Sequence, residues 1–208
     1  MPKVIKFTPQ KFEDIISSAA TLILRGGVII YPTETFYGLG ADATNNQAIL
    51  RIFDIKGRDF GNPISVIIGT KHDLQIIIRE STPAAEKLMN AFWPGPLTIV
   101  FKAKESISPL LTAQTGKIGV RLSANEIAKQ IAQKAGRPLT ATSANLSGMP
   151  ECANAEEAIK QIGNKIDTVI DAGTTAGGVA STVIDVTCTP PRILREGTIS
   201  QKSIEKTL

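Results

Sequence analysis

The chain has 208 residues, of which 42% are hydrophobic and 20% are charged, and these proportions are ordinary for a globular protein. It has one histidine, His72, and two widely separated cysteines, Cys152 and Cys188, which argues against a disulfide framework, a thiolate zinc site and a Ser-His-Asp triad. The net charge of +4 is mild and the lysines are scattered, so the composition permits an anionic ligand or RNA without requiring either.

Helical and extended hydrophobic patterns alternate along the chain. In chain order they predict a helix over 9–25, a strand over 28–31, a helix over 45–56, a strand over 63–68, a helix over 82–92, strands over 97–101 and 118–122, a helix over 124–135, a strand over 139–142, a helix over 154–162, strands over 167–171, 181–187 and 192–195, and a short helix after Ser200. This alternation favours one α/β domain over residues 1–208. Because the strands are short and some neighbours resemble hairpins, we expect a mixed sheet.

Local signals support several of these boundaries. Asn45 or Asn46 is a predicted N-cap for the second helix, and Gly57 is a predicted C-terminal breaker for it. Pro83 suits the first turn of the helix predicted over 82–92, and Gly136 should end the helix predicted over 124–135.

Targeting signals are not evident. Residues 1–11 lack the apolar stretch of a signal peptide, and no apolar run approaches the length of a membrane span. We therefore expect a cytoplasmic protein without a membrane partner.

The segment 31–40, YPTETFYGLG, follows a short apolar run that predicts a buried strand. Pro32 should end the pairing because it has no backbone N–H, and the segment then offers three hydroxyls, the carboxylate of Glu34 and two glycines. Open α/β sheets bind ligands at polar loops of this kind. The simpler alternative is a strand followed by an ordinary turn.

Basic residues lie at the ends of several predicted elements. Lys56 and Arg58 are two residues apart near a helix end, and together they suit a phosphate or a carboxylate, although a solvated basic turn is the alternative. Arg121 and Arg195 end apolar strands, where a charge normally needs a partner, so both are candidates for binding an anion.

Small polar residues follow another predicted strand. Ser143 and Asn145 begin the segment SANLSG, which can present backbone N–H groups and hydroxyls to an anion or can form a turn and a helix cap. The segment matches neither the Walker nor the dinucleotide-binding pattern. Ser181 begins a strand and can line a pocket or cap that strand. The residues alone thus predict an α/β domain with a cleft suited to phosphate, and they do not identify a reaction.

Eight segments in order give the sequence a resemblance to the YrdC/TsaC family of threonylcarbamoyl-AMP synthases. The segments are YPTETFYGLG, IKGRD, NPISVII, FWPGPLTIVF, GVRL, TSANLSG, STVIDV and ILREGTIS, over roughly residues 10–200. The resemblance implies a twisted mixed sheet flanked by helices with a concave positive cavity, in the short single-domain form. It also implies a nucleotidyltransferase that makes threonylcarbamoyl-AMP and pyrophosphate from L-threonine, bicarbonate and ATP.

The resemblance also implies a set of nucleotide-binding residues. The family's Lys-x-Arg signature falls on Lys56 and Arg58, which are then the expected catalytic pair, and its Ser-x-Asn signature falls on Ser143 and Asn145. The residues expected around ATP are Lys56, Arg58, Lys117, Ser143, Asn145 and Arg195.

The same resemblance places Thr33, Arg121 and Ser181 where family members contact the amino acid. Mg²⁺ is expected to arrive on the ATP phosphates, without a dedicated protein metal site. The implied downstream partners are a tRNA-modification complex and, as a further candidate, tRNA itself, because the product feeds the threonylcarbamoylation of adenosine in tRNA.

The sequence departs from the common family pattern at two positions. Asp59 stands where many members have proline, and Ile67 stands where many have histidine, which leaves the geometry of nucleotide binding open. Two other functions also stay open, namely an RNA-binding module of the same fold and carbamoyl transfer to another acceptor. The glycine-containing loop 173–180 is a candidate lid over the site.

Overall fold

In the computed structural model, which describes residues 1–208, ten strands form one mixed sheet. The strands are β1 Lys3–Lys6, β2 Ile29–Tyr31, β3 Gly38–Gly40, β4 Ser65–Ile67, β5 Leu97–Lys102, β6 Lys117–Arg121, β7 Leu139–Ser143, β8 Thr168–Asp171, β9 Thr182–Asp185 and β10 Arg192–Arg195. Their order across the sheet is β1-β8-β2-β3-β7-β4-β6-β5-β9-β10. Parallel and antiparallel neighbours both occur, which confirms the predicted mixed sheet.

Eight α-helices flank the sheet. They are α1 Phe12–Leu24, α2 Asn46–Lys56, α3 Leu74–Ile77, α4 Pro83–Phe92, α5 Pro109–Thr112, α6 Glu126–Ala135, α7 Ala155–Ile162 and α8 Gln201–Thr207. The predicted caps are confirmed, because the Asn45 side chain accepts two N–H groups of α2, Pro83 begins α4, and Gly57 and Gly136 end α2 and α6 in the left-handed conformation. None of these helices combines the length and the apolar character needed to cross a bilayer.

Four elements were not predicted from the sequence, namely β1, β3, α3 and α5. The strand β3 is the informative case, since two of its three residues are glycines, which disfavour a strand. The ring of Tyr31 on β2 packs against it, and a Cβ at Gly40 would lie 2.6 Å from Cε1 of that ring. The glycines therefore allow a close approach of the aromatic ring, and pairing with β2 and β7 on both sides forms the strand.

The boundary of the first helix is also corrected. The chain makes a 3-10 turn at Pro9–Lys11 and α1 begins at Phe12, and Thr8, which precedes this turn, makes no side-chain capping bond. The remaining predicted helices and strands differ from the observed ones only near their ends.

The two faces of the central strands pack differently. Val66, Ile118 and Val120 belong to the larger of two hydrophobic cores. The opposite face carries Tyr31 and Ile67, which belong to a smaller core with α1 and α6. The two helices cover only part of this face, because Tyr31 and Ile67 also line an open cavity.

Candidate active site

A cavity of about 510 Å³ opens on the sheet face that α1 and α6 leave uncovered. Successive residues of a strand point to opposite faces, so every second residue of the central strands contributes to the cavity floor. The floor residues are Ser65 and Ile67 on β4, Thr98 and Val100 on β5, Lys117, Gly119 and Arg121 on β6, and Val183 and Asp185 on β9. A cavity of this size is typical of sites for small molecules and cofactors.

All nine site residues expected from the sequence lie at this cavity or directly beside it. The cavity is lined by Thr33, Arg58, Lys117, Arg121, Ser143, Ser181 and Arg195. The other two, Lys56 and Asn145, line a smaller polar pocket that shares Arg58, Thr142 and Ser143 with the cavity. The structure therefore brings together residues from six separate segments of the chain.

The charges on the cavity wall favour an anion. Arg58, Lys117, Arg121 and Arg195 line the cavity, whereas its two carboxylates are Glu151 and Asp185. Asp185 is itself paired, since the Lys117 ammonium lies 2.9 Å from its Oδ2. The excess of cationic groups suits a ligand with several negative charges.

Lys56 organises the loop that follows β7. Its ammonium donates hydrogen bonds to the carbonyl oxygens of Ser143 (2.6 Å) and Asn145 (2.8 Å) and to Oδ1 of Asn145 (3.1 Å). Burial and the nearby charge of Arg58 lower the pKa of Lys56 to about 8, so it stays mostly protonated at neutral pH. Since all three ammonium protons are used, Lys56 shapes the loop, and a phosphate would have to replace one of these bonds to contact it directly.

Arg58 stands between the cavity and the smaller pocket. Its Nη1 donates to Thr142 Oγ1 at 3.3 Å and its Nη2 donates to the Pro63 carbonyl at 3.0 Å. Burial lowers its pKa, and arginine nevertheless remains charged. Asp59, one of the two residues that differ from the common family pattern, is exposed beside Arg58 and lines the smaller pocket. Arg58 is therefore the charged residue placed to contact a ligand that spans the cavity and the smaller pocket.

Arg121 has a carboxylate partner that the sequence did not identify. Glu34, from the loop after β2, accepts a hydrogen bond from Nε of Arg121 at 3.1 Å, and its Oε1 lies 2.6 Å from Nη2. The second contact lacks hydrogen-bond geometry, so the buried Nη2 is held by this ion-pair contact and makes no further hydrogen bond. Glu34 also accepts from Ser123 Oγ and from the Ala124 N–H. Glu34 thus fixes the orientation of the guanidinium of a residue that also lines the cavity.

Burial by itself would raise the pKa of Glu34. The charge of Arg121 and the hydrogen bonds from Ser123 and Arg121 lower it further than burial raises it, so the pKa lies below the ordinary value. Glu34 is therefore ionised at neutral pH, and the pair with Arg121 is intact.

A second buried carboxylate holds Lys117. Asp185 accepts hydrogen bonds from that ammonium and from the N–H and hydroxyl of Thr187. Burial tends to raise the pKa of Asp185, but these hydrogen bonds bring it below its ordinary value. Lys117 remains partly exposed and lines the cavity floor.

The position of Arg195 depends on a β-bulge. Ile193 pairs with Ile184 and Arg195 pairs with Val183, so Leu194 is an extra residue in β10. In a regular strand Leu194 and Arg195 would face opposite sides, and the bulge lets both line the cavity. The Arg195 guanidinium donates to the carbonyl and to the hydroxyl of Ser181, at 2.9 Å and 3.2 Å.

Thr33 mainly stabilises its own turn. Its hydroxyl donates to the Phe36 carbonyl at 2.6 Å and accepts from the Thr35 N–H at 3.1 Å. The candidate lid is tied to this turn, because the Gly177 N–H donates to the Thr35 carbonyl at 2.8 Å. Tyr37 holds the start of the same loop through a hydrogen bond from its hydroxyl to the Gly173 carbonyl.

Sequence reasoning did not assign roles to Glu34, Ser65, Gly119 or Asp185. The alternation in the segment KIGVR carries the signal for Gly119, because residues 117, 119 and 121 of one strand share a face. The pairing of Glu34 with Arg121 joins residues 87 positions apart, and no local pattern could have indicated it.

The family model Sua5/YciO/YrdC, described as telomere recombination, matches residues 21–197. A threonylcarbamoyl-AMP synthase of Pyrococcus abyssi is 40% identical over 193 residues, which are 93% of this chain and 57% of the relative. The chain thus spans little more than half the length of that relative.

Two solved structures have the same fold. P. abyssi Sua5 complexed with L-threonine superposes with a TM-score of 0.94 at 38% identity, covering 100% of this chain and 61% of that protein. E. coli YciO superposes with a TM-score of 0.87 at 28% identity, covering 98% and 100% of the two chains. On the extent of these matches, the chain belongs to the Sua5/YciO/YrdC family.

Proposed function

We propose that the chain catalyses formation of threonylcarbamoyl-AMP and pyrophosphate from L-threonine, bicarbonate and ATP. The observation that carries the proposal is a cavity lined by four cationic side chains, Arg58, Lys117, Arg195 and an Arg121 whose guanidinium is held in place by Glu34. A cavity with one enclosed guanidinium and several further cations suits a small carboxylate beside a polyphosphate. The likeness to relatives named for this activity supports the same reading.

Arg121 is the proposed site for the α-carboxylate of the amino acid. Its guanidinium is enclosed, with 8% of the side chain exposed, and Glu34 fixes its orientation. A guanidinium fork can bind a carboxylate through two parallel hydrogen bonds. Thr33 and Ser181 line the same cavity and would bound the amino-acid subsite.

The proposed nucleotide site lies toward Lys117, Arg195 and Arg58. Lys117 and Arg121 are on the same face of β6 with Gly119 between them, so their Cα atoms are roughly 13 Å apart. This spacing lets an amino acid at Arg121 approach a phosphate near Lys117. Ser143 and Asn145 would shape the wall beside the phosphates, and Lys56 would keep that wall in place.

The chemistry requires positioning more than proton transfer. The amine of threonine adds to CO₂ with loss of a proton to solvent, or condenses with bicarbonate with loss of water, to form an N-carboxylate. One oxygen of that carboxylate attacks the α-phosphorus. The bond between the α-phosphorus and the oxygen that bridges to the β-phosphorus breaks, and pyrophosphate leaves with that electron pair. Fixed cations would stabilise the charge that develops on the phosphoryl oxygens.

Mg²⁺ is proposed to bind mainly to the phosphate oxygens. The chain has no group of three or more histidine, cysteine, aspartate or glutamate side chains arranged to hold a metal ion. Of the cavity carboxylates, Asp185 is already engaged by Lys117. This donor set fits a metal carried by the nucleotide, and the metal would neutralise phosphate charge.

The test is pyrophosphate release in a mixture of the purified protein, ATP, Mg²⁺, bicarbonate and L-threonine. We expect release that depends on threonine and on bicarbonate, and a large loss of rate in Arg121→Ala. Absence of threonine-dependent release from the unmodified protein would refute the proposal.

The product is a reactive mixed anhydride, so a second enzyme must transfer its threonylcarbamoyl group to an acceptor soon after release, with AMP as the leaving group. We propose that this acceptor reaction belongs to tRNA modification, and that tRNA binding by this chain itself is the alternative route. Direct RNA binding would weaken steeply with salt. A titration with unmodified tRNA at two salt concentrations separates the two routes.

A further inference from the structure

One hydroxyl on the cavity wall has no partner within the protein. Ten hydroxyl-bearing residues line the cavity, and nine of them hydrogen bond to another protein group. The nine are Tyr31, Thr33, Thr35, Tyr37, Thr98, Thr115, Thr142, Ser143 and Ser181. The tenth, Ser65, makes no side-chain hydrogen bond, and its oxygen is not among the sealed polar atoms. Its hydroxyl is therefore open to whatever fills the cavity.

The register of the sheet places this hydroxyl between the two proposed subsites. Ile67 of β4 pairs with Arg121 of β6 in parallel, so Ser65, two residues earlier, lies level with Gly119. A Cβ at Gly119 would collide with Oγ of Ser65, which confirms how closely the two residues approach. Gly119 itself lies midway between Arg121 and Lys117 on one strand face.

We infer that the Ser65 hydroxyl binds the carboxylate that bicarbonate contributes to the amino group of the substrate. This inference rests on the proposed function. With the α-carboxylate at Arg121 and the phosphates near Lys117, the N-carboxylate group must lie between them, over Gly119. The hydroxyl donates a hydrogen bond to one oxygen of this group, and the missing side chain at Gly119 leaves the room that the hydroxyl occupies beside β6.

The hydrogen bond also selects which oxygen reacts. The oxygen that accepts from Ser65 has a lone pair engaged in that hydrogen bond, so it is the weaker nucleophile and becomes the carbonyl oxygen of the product. The other oxygen keeps its lone pairs and forms the bond to the α-phosphorus while the bond to pyrophosphate breaks. No proton is transferred in this step, so Ser65 acts by orientation and needs no neighbouring base.

The test compares Ser65→Ala with the unmodified protein and with Ser18→Ala, a serine exposed on α1. Initial rates of pyrophosphate release are measured in degassed buffer against bicarbonate, then against ATP and against threonine. We expect the KM for bicarbonate to rise about tenfold in Ser65→Ala, while the KM values for ATP and threonine change less than about threefold. Ser18→Ala should match the unmodified protein.

Three outcomes would overturn the inference. An unchanged KM for bicarbonate in an active Ser65→Ala variant would contradict it and leave the proposed function standing. Equal increases in all three KM values would indicate a general disturbance of the cavity, which also contradicts it. Absence of threonine-dependent pyrophosphate release from the unmodified protein would contradict both the inference and the proposed function on which it rests. A melting curve of each variant checks that the kinetics report folded protein.

Discussion

Replacing Glu34 by glutamine tests whether this carboxylate fixes Arg121. The side chains of Glu34 and Arg121 are 17% and 8% exposed, and Oε1 lies 2.6 Å from Nη2. Glutamine keeps the shape of the side chain but removes the charge, so a buried guanidinium loses its counter-ion. Removing one partner of a buried ion pair costs about 3–5 kcal/mol, and the partial exposure of Glu34 places the expected loss near the lower end, about 3 kcal/mol.

A loss of this size is visible in a melting experiment. For a chain of about 200 residues, 1 kcal/mol corresponds to roughly 2–4 °C, so Glu34→Gln should melt about 6–12 °C below the unmodified protein at neutral pH. The matched control is Glu156→Gln, which removes an exposed carboxylate that pairs with Lys160. The control should show no measurable change in melting temperature.

The pH dependence of the stability difference between Glu34→Gln and the unmodified protein is a second, independent test of the role of Glu34. Because the pKa of Glu34 is lowered in the folded state, its contribution to stability is present above the unfolded value of 4.5 and is lost as the pH falls through the folded-state pKa. The difference between Glu34→Gln and the unmodified protein should therefore be constant near neutral pH and should shrink in acid below that value. A difference under about 2 °C at neutral pH, or one that does not change with acid, would refute the role assigned to Glu34.

Three further substitutions test the cavity floor and its supports. Gly119→Ala places a methyl group against Ser65 in the floor, so we expect pyrophosphate release to fall at least about tenfold; a variant with full activity would contradict the placement of substrate there. Asp185→Asn weakens the hold on Lys117, so the KM for ATP should rise severalfold at saturating threonine, and an unchanged value would count against Lys117 as a phosphate ligand. Lys56→Met leaves three oxygen acceptors without their donor, and urea unfolding should show a loss of about 3 kcal/mol, whereas a loss below about 1 kcal/mol would mean that the loop does not depend on this ammonium.

The two residues that differ from the common family pattern, Ile67 and Asp59, lie at the cavity and at the smaller pocket, respectively. Ile67 belongs to the smaller hydrophobic core and also lines the cavity beside Arg121. Ile67 therefore gives the proposed amino-acid subsite an apolar wall. Asp59 is exposed at the rim of the smaller pocket, where its charge is largely screened by solvent.

The sequence by itself predicted six of the eight α-helices, eight of the ten strands and a set of expected site residues. Asn45 caps a helix because its side chain reaches N–H groups two and three residues ahead, and Gly57 ends the same helix because it adopts a positive φ without strain. Both capping effects act between residues within a few positions of each other, so a local sequence pattern is enough to predict them. The family segments added the site residues, and all nine lie at the cavity or in the adjoining pocket.

Only the tertiary structure decided which polar groups meet. Glu34 bonds to Arg121 across 87 positions, Lys117 bonds to Asp185 across 68, and Lys56 bonds to Asn145 across 89. The bulge in β10 and the glycine strand β3 depend in the same way on neighbouring strands. The physical reason is that a hydrogen bond or an ion pair acts over a few ångströms of space, and the sheet order that sets those distances is not written in any local stretch of sequence.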